Sequence, residues 1–197
     1  MTARGTLYRG MDRAALDAAY NNSAAVKDSA SWLEKWRKNS AEAGARGEVR
    51  RDIAYGTQAR QKFDLFLTGD TSSPLFVFIH GGYWQRNDKE GFSFVAEGLL
   101  PLGVSTAVVG YTLAPEATLT QIVAEMRSAI SFLAAQGEAL GYDQGSICVG
   151  GWSAGGHLTA MVADHPGVRG AVPISGIFDL EPMRLCYIND KLRLTAK

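Results

Sequence analysis

Short and nearly continuous runs of apolar residues occur at residues 75–79, 105–109 and 147–149 of the chain. Strands that are covered on both faces, as in a parallel sheet, have this composition. Residues 170–174 (GAVPI) predict one more strand. These segments therefore indicate the buried centre of a sheet whose strands run mostly parallel.

The chain between the N-terminal region and these runs has a different pattern. Polar and apolar residues alternate at residues 51–55 and again at residues 62–67, and Gly56 lies between the two segments. Alternation with a period of two is typical of strands that have one buried and one exposed face. We therefore expect an antiparallel hairpin at the start of the sheet.

Helical patterns separate the predicted strands. Residues 88–102 form one such segment, and residues 116–140 form a longer one with apolar residues three or four positions apart. A third helix is predicted to begin at Ser153 and to end before Pro166. Because strands alternate with helices, the predicted fold class is α/β, with a mostly parallel sheet, an antiparallel N-terminal hairpin and flanking helices.

The N-terminal part of the chain is predicted to be an arm or cap on this sheet. Residues 11–45 have a helical composition, and Asp12 can cap the helix that follows. At this total length a single core is expected. We therefore divide the chain into a helical arm, residues 1–48, and an α/β core, residues 49–197.

The arm carries an apolar stripe. Trp32, Leu33 and Trp36 lie among charged residues at a spacing that places them on one side of a helix. We expect this stripe to pack against the core. The alternative is that its aromatic residues line a substrate cleft.

Composition and charge exclude several classes of protein. Twenty Lys and Arg balance twenty Asp and Glu, so the formal net charge is zero, and we expect neither nucleic acid nor an anionic membrane as a partner. Cys148 and Cys186 are too few for a disulfide framework or for a zinc site built on cysteine pairs, and no metal site is predicted. The first ten residues contain no apolar run, and no stretch is long enough to span a bilayer, which favours a soluble cytoplasmic protein.

Residues 151–155 (GWSAG) match the pattern Gly-x-Ser-x-Gly. They directly follow a predicted strand and open a predicted helix, which is where a serine nucleophile lies on a sharp turn. Such a turn leaves no room for side chains two residues on either side of the serine, and Gly151 and Gly155 meet this requirement. The turn places the Ser153 hydroxyl beside the positive end of a helix. A phosphate-binding loop is excluded because no lysine follows the glycines.

A second glycine-containing turn, residues 80–84 (HGGYW), ends the strand predicted at 75–79. It exposes backbone N–H groups at the edge of the sheet where ligands bind in open α/β folds. Together with the N–H of Ala154, these groups can stabilise the oxyanion of a tetrahedral intermediate. We expect His80 to fix this loop through hydrogen bonds rather than to act as a base. Tyr83 and Trp84 either line the substrate pocket or pack in the core.

Three segments together carry a resemblance to a known family: HGGYWQ at residues 80–85, GWSAGGH at 151–157 and SGIFDL at 175–180. They resemble α/β-hydrolase esterases of the group that includes kynurenine formamidases (arylformamidases) and bacterial esterases related to hormone-sensitive lipase. The N-terminal segment YRGMD, at residues 8–12, is also similar to the arm of those enzymes.

The resemblance implies roles for particular residues. Ser153 is then the nucleophile, and the backbone N–H groups of Gly82, Tyr83 and Ala154 form the oxyanion hole, with Gly81 in the same motif. The implied reaction is hydrolysis of a small-molecule ester or aryl formamide through an acyl-enzyme, without a cofactor. Independently of the resemblance, the aromatic ring of Trp84 makes it the candidate contact for an aromatic substrate, with core packing as the alternative.

The histidine of a catalytic triad is not evident. In this fold the triad residues follow in the order Ser, acid, His, and the chain contains only His80, His157 and His165. His80 precedes the serine. His157 lies one turn along the helix that leads away from Ser153, and His165 lies about 12 residues, or some 18 Å, along it. We expect none of them to be the base.

Asp179 is the candidate acid of the triad. It follows the strand predicted at 170–174, from which some α/β-hydrolases recruit their acid. The resemblance places the acid of formamidase-like esterases one strand later, which favours Asp179 as a carboxylate that fixes its own loop.

The resemblance also implies two further strands after Lys197, the last of which would carry the acid and the histidine. We therefore expect a core that is incomplete at its C-terminus, with residues 170–174 at the edge of the sheet. Such an edge allows association into a homo-oligomer, and residues 185–197 are predicted to cover it in part. The chain alone is expected to be a very poor esterase. The alternative is a non-catalytic homologue that binds a small acyl or aromatic ligand.

Overall fold

The computed structural model describes residues 5–43 and 48–196. These residues form a six-stranded sheet. The strands are β1 (Glu48–Ala54), β2 (Lys62–Leu67), β3 (Pro74–Ile79), β4 (Ser105–Val109), β5 (Asp143–Trp152) and β6 (Gly170–Ile174). Their order in the sheet is β1-β2-β4-β3-β5-β6. The β1–β2 and β2–β4 pairs are antiparallel, and the remaining pairs are parallel. The predicted α/β fold class is therefore confirmed.

The predicted N-terminal helix is divided into three: α1 (Arg13–Ala19), α2 (Asn22–Ala25) and α3 (Ser29–Glu42). Asp12 caps α1 as predicted, by accepting a hydrogen bond from the Ala15 N–H. The segment is helical as predicted, and it is interrupted because the Asn21 side chain caps a new helix and because Asp28 has a left-handed backbone (φ 60°). The predicted end of the segment, at Ala45, lies outside the described residues.

The helices on the two faces of the sheet are α4 (Val95–Leu99), α5 (Leu119–Leu140) and α6 (Ala154–Val162). The helix predicted over residues 116–140 begins after Thr118, which is the N-cap of α5 and forms a reciprocal capping box with Gln121. The helix predicted over residues 88–102 is a short α4 between two 3₁₀ turns. The second turn contains Pro101, which has no N–H to donate to a longer helix.

The C-terminal segment crosses to the N-terminal arm. Its helices are α7 (Glu181–Leu185) and α8 (Asn189–Leu192). Met183 and Ile188 are buried in the same apolar cluster as Leu16 of α1. The Tyr187 N–H donates a hydrogen bond to Asp17 Oδ1 at 2.7 Å. The expectation that this segment covers β6 was therefore wrong, because its apolar residues pack on α1 instead.

Strand β6 is the edge strand of the described sheet, and its only ladder is to β5. Its outward side chains are not covered by the residues that the structure describes: Val172 is 52% and Ile174 is 45% exposed. The predicted position of this strand at the sheet edge is confirmed.

Candidate active site

Ser153 lies on a sharp turn between β5 and α6, at the carboxyl end of the sheet. Its backbone has φ 58° and ψ −117°, a left-handed conformation that costs energy for a residue with a side chain. Its N–H donates to the carbonyl of Ile174 at 2.9 Å. Within residues 5–43 and 48–196, its Oγ forms no hydrogen bond. The hydroxyl is therefore held out at the end of the sheet and is available to a ligand.

Two glycines make this turn possible. A Cβ at Gly155 would lie 2.0 Å from the carbonyl oxygen of Ile79, and a Cβ at Gly151 would lie 2.4 Å from the carbonyl oxygen of Gly155. Real Cβ atoms do not approach oxygen so closely. The turn is therefore packed backbone to backbone against the end of β3.

The loop after β3 contacts the serine directly. A Cβ at Gly81 would lie 3.1 Å from the Cβ of Ser153 and 2.6 Å from the carbonyl oxygen of Trp152. The next residues have positive φ values, 121° at Gly82 and 53° at Tyr83. The structure thus brings the two predicted turns together, and both Gly82 and Tyr83 line the same cavity as Ser153. Ala154, the first residue of α6, is buried behind them.

His80 is buried beneath this loop. Its Nδ1 is 2.9 Å from the Gly81 carbonyl oxygen, and its ring stacks on Tyr111 with centroids 4.3 Å apart. Burial lowers the pKa of His80 to about 4, so the imidazole is neutral near pH 7. The Tyr111 hydroxyl donates to the His80 carbonyl at 3.0 Å. His80 therefore lies where it can fix the loop, and no contact joins it to Ser153.

Tyr83 and Trp84 point in different directions, although they are neighbours in sequence. Tyr83 lines the cavity, and its hydroxyl donates to the Tyr20 carbonyl at 3.0 Å. Trp84 is fully buried and does not line the cavity; its ring meets His157 edge to face, with centroids 5.1 Å apart. The predicted substrate contact of Trp84 is therefore corrected to core packing.

The other two histidines are directed away from the serine. Burial against Trp84 lowers the pKa of His157 to about 4. His165, beyond the end of α6, has its Nε2 2.9 Å from Ser131 Oγ and accepts the Gly167 N–H at its Nδ1. In the described part of the chain, no imidazole is hydrogen-bonded to Ser153.

Asp179, the candidate acid, lies in the loop that follows β6. Its carboxylate accepts the Tyr8 hydroxyl and, at 3.0 Å, the Glu181 N–H. These hydrogen bonds, that of Tyr8 first, hold the pKa of Asp179 below its ordinary value. The carboxylate therefore ties the N-terminal arm to the loop before α7, and among the described residues it has no imidazole partner.

A cavity of about 400 Å³ opens over Ser153. We call one side the core wall; it consists of Gly82, Tyr83, Trp152 and Ser153. We call the opposite side the arm wall; it consists of Val26, Trp32 and Leu33.

The arm wall corrects the expectation that the stripe on the arm packs in the core. Trp32 is 51% exposed and Leu33 is 38% exposed, and both face the cavity. Only Trp36 packs closely, edge to face on Trp152 with centroids 5.3 Å apart. No pattern in the helix itself separates Trp32 from Trp36, since the difference depends on what lies opposite each ring.

Other kinds of site are not found in the part of the molecule that the structure describes. There, no three His, Cys, Asp or Glu side chains converge in a way that would hold a metal ion. No helix among these residues combines the length and the apolar character needed to cross a bilayer.

Comparison with known proteins gives matches to esterases and related hydrolases. The profile of the BD-FAE family matches residues 63–172. Kynurenine formamidase from Danio rerio is 32% identical over 156 residues, which cover 74% of this chain and 52% of that protein. Isoprenylcysteine alpha-carbonyl methylesterase from Arabidopsis thaliana is 34% identical over 115 residues, covering 57% of this chain and 27% of that protein.

A solved structure also matches. A crystal structure from Silicibacter sp., provisionally described as a thioesterase, aligns with a TM-score of 0.79 and 34% identity, covering 91% of this chain and 70% of that one. The chain spans about half the length of the kynurenine formamidases it matches. The residues that the BD-FAE family model matches include both turns that meet at the cavity.

Proposed function

Because this chain belongs to the BD-FAE family and has the α/β-hydrolase fold, we propose that it is a serine hydrolase that cleaves a small ester or aryl formamide through an acyl-enzyme at Ser153. One observation carries the proposal: the strained turn that holds Ser153 lies against the Gly81 loop, and both open on one cavity. Similarity to a formamidase and to a methylesterase supports an acyl carbon as the reacting centre.

The proposed chemistry uses backbone groups for charge stabilisation. The Ser153 Oγ attacks the substrate carbonyl carbon while its O–H proton passes to solvent water, and the carbonyl oxygen becomes an oxyanion that the N–H groups of Gly82, Tyr83 and Ala154 stabilise. Collapse of the tetrahedral intermediate breaks the bond to the leaving group, which takes a proton from solvent and departs as an alcohol or an arylamine, and an acyl group remains on Ser153. Water then hydrolyses this ester, which releases the acid and restores the hydroxyl.

Activation of the serine is the weak step. A serine hydroxyl without an adjacent base is a poor nucleophile, and none of the described imidazoles contacts Ser153. Serine hydrolases that lose members of the triad keep a rate roughly 10³–10⁴-fold above water through the oxyanion hole and substrate binding. We propose that residues 5–43 and 48–196 by themselves support slow acylation only.

A fluorophosphonate probe tests the role of the serine, because the tetrahedral adduct that it forms reports both on the nucleophile and on the oxyanion hole. We expect slow labelling of one site per chain, located at Ser153 by mass spectrometry of peptides and lost in Ser153→Ala. The matched control is Ser175→Ala, since Ser175 also has a positive φ at the end of a strand but lies outside the cavity. Labelling that persists in Ser153→Ala would overturn the proposal.

Hydrolysis of p-nitrophenyl acetate tests the proposed lack of activation. We expect no burst of p-nitrophenol from the wild-type chain. A full burst that Ser153→Ala abolishes would show that a base reaches the serine, and would overturn the slow-acylation proposal while keeping the nucleophile.

A non-catalytic homologue that binds a small acyl or aromatic ligand is the second candidate. It is favoured because the Ser153 hydroxyl, under an apolar cavity, has no hydrogen-bond partner among the described residues. Ligand binding at this cavity together with no labelling of Ser153 at any probe concentration would favour this candidate.

A further inference from the structure

The three N–H groups proposed as oxyanion donors belong to three different peptide units, and each unit is held through its own carbonyl. A trans peptide is planar, so its C=O and its N–H point in opposite directions. Hydrogen bonds that fix the direction of the carbonyl therefore also fix the direction of the N–H. The acceptor contacts of these carbonyls decide how well the donors are aimed.

Backbone hydrogen bonds fix two of these units. The unit that carries the Ala154 N–H has its carbonyl bonded to the His157 N–H at 3.1 Å, in the first turn of α6. The unit that carries the Tyr83 N–H has its carbonyl, that of Gly82, bonded at 3.0 Å to two backbone N–H groups of the turn that follows. Replacement of a side chain leaves such bonds in place.

Side chains hold the third unit, which joins Gly81 to Gly82. The Gly81 carbonyl accepts a hydrogen bond from Asn87 Nδ2 at 3.1 Å, and its oxygen is 2.9 Å from His80 Nδ1. Because a carbonyl can only accept, His80 Nδ1 carries the hydrogen of this contact. Glycines flank the peptide bond on both sides, and glycine allows more backbone conformations than any other residue. The contacts of the carbonyl therefore determine where the Gly82 N–H points.

Asn87 is itself held in place. Its backbone is left-handed (φ 73°), and its carbonyl accepts a hydrogen bond from the Arg60 guanidinium at 2.6 Å. Its side-chain nitrogen lies 2.9 Å from the position that a Cβ at Gly82 would take. The amide thus reaches the Gly81 carbonyl from a fixed backbone and lies directly against the loop.

From these contacts we infer that Asn87 is a positioning residue for the oxyanion hole: its amide holds the Gly81 carbonyl so that the Gly82 N–H is directed at the oxyanion. The hydrogen bond to the carbonyl also polarises the peptide, which makes its N–H a stronger donor. The inference rests on the proposed function of Ser153 and deepens it, since it states which side chain supports one of the donors.

Asn87→Gly tests this role, because glycine accepts the left-handed backbone and the substitution removes the amide. We expect labelling of Ser153 by the fluorophosphonate probe to slow about 3- to 10-fold, the factor that one neutral hydrogen bond contributes. Asn87→Asp, which replaces the donor group by an oxygen at nearly the same size, should slow labelling at least as much. The matched control is Gln85→Ala. Gln85 is in the same loop and its amide also donates to a carbonyl, that of Ile188, but it does not line the cavity; this variant should keep the wild-type rate.

NMR of the backbone separates positioning from direct contact with the probe, because Asn87 also lines the cavity. With glycine labelled by ¹³C at the carbonyl and by ¹⁵N at the amide in cell-free expression, only Gly-Gly pairs give HNCO signals, and the chain has three: 81–82, 150–151 and 155–156. In Asn87→Gly the Gly81 carbonyl signal should move to lower frequency, since its oxygen accepts fewer hydrogen bonds. The other two signals should stay in place, which would show that the turn at Ser153 is intact.

Three results would overturn the inference: an unchanged labelling rate in Asn87→Gly, slower labelling with the Gly81 signal in place, or movement of all three signals. The second would assign Asn87 to direct contact with the probe, and the third would attribute slow labelling to a general loss of structure. The proposed function fails separately. No labelling of Ser153 in the wild-type chain would refute the nucleophile, whereas the Gly81 signal would still show whether Asn87 holds the loop.

Discussion

The core wall of the cleft is backed by backbone that has no room to move, whereas the arm wall consists of apolar side chains that lie partly exposed on the arm. Behind the core wall, Gly155 and Gly81 are packed against carbonyl oxygens of neighbouring segments. On the arm, α3 follows Asp28, whose side chain does not cap the helix, and Trp32 contacts the cavity rather than the core. Positioning of reacting atoms requires the first kind of structure, while recognition of an apolar group requires only surface.

The largest loss of stability among these predictions is expected at Gly155, behind the core wall. Gly155→Ala forces a methyl group against the Ile79 carbonyl and should lower the free energy of unfolding by about 3 kcal/mol or more, as overpacking of a filled core does. Urea denaturation measures this change. The matched control is Gly98→Ala in α4, where a Cβ meets no atom within 4 Å, and there stability should rise by about 0.5–1 kcal/mol. Equal effects in the two variants would contradict a tightly packed core wall.

Acid should lower the stability of the fold through two histidines that are buried behind the core wall. His80 and His157, both buried behind the loop and turn, have folded-state pKa values of about 4, while an unfolded chain protonates histidine near pH 6.5. The unfolded state therefore binds more protons between these values, so stability falls as the pH is lowered from about 6.5 to about 4.

We expect a loss on the order of 1–3 kcal/mol for each buried imidazole over this range, measured as the urea midpoint at a series of pH values. His157→Leu removes one of the two groups and should flatten the profile. A profile with the same slope in the variant would show that His157 does not contribute.

A smaller effect is expected at the hydrogen bond between the core wall and the N-terminal arm. The Tyr83 hydroxyl, on the core wall, donates to the Tyr20 carbonyl of the arm. Tyr83→Phe removes this hydrogen bond and should cost about 1 kcal/mol of stability. It should also slow the labelling of Ser153 several-fold, because the loop that carries the proposed oxyanion donors loses a support. Tyr187→Phe is the matched control, since its hydroxyl reaches the same carbonyl at 3.5 Å without belonging to the loop. Equal labelling rates in the two variants would argue against this support.

The smallest effect on stability is expected at the arm wall. Trp32→Ala should change the free energy of unfolding by less than about 0.5 kcal/mol, as for an exposed residue. It should still weaken several-fold the binding of a small aromatic amide, 3-phenylpropionamide, at the cavity that Trp32 lines. Trp36→Ala, four residues away, removes a ring that packs on Phe92 and Trp152 and should cost more stability. A stability loss at Trp32 as large as that at Trp36 would mean that the arm wall is part of the core.

Most of the sheet could be predicted from the sequence because its signal is local. The runs at residues 75–79 and 105–109 are buried on both faces, so nearly every position in them is apolar. The bounds of β3 and β4 agree closely with these runs. The Gly-x-Ser-x-Gly turn could be predicted for the same reason: its glycines are required by contacts within a few residues and with the adjacent strand.

Whether a given side chain packs in the core or lines the cavity could not be predicted in the same way. Trp84 is in a glycine-containing loop and was predicted to contact the substrate, with core packing as the alternative. Trp32 is on an amphipathic helix and was predicted to pack on the core, with a substrate cleft as the alternative. The structure has the reverse arrangement, because the ring of Trp84 fills the space beside His157 and the helix of Trp32 has a cavity opposite it. Which neighbour faces a ring depends on tertiary contacts that no local pattern contains.

The hydrogen bond between Asp17 and the Tyr187 N–H has a consequence for how this protein is made. It joins residues 170 positions apart, and a ribosome adding about 5–20 residues per second needs roughly 10–35 s to synthesise the chain between them. During that interval α1 lacks the packing partner that α7 supplies and the hydrogen bond from the Tyr187 N–H. We therefore expect the contact between α1 and the C-terminal segment to form late in biosynthesis, after the arm residues that contact residues 83–92 have been able to dock.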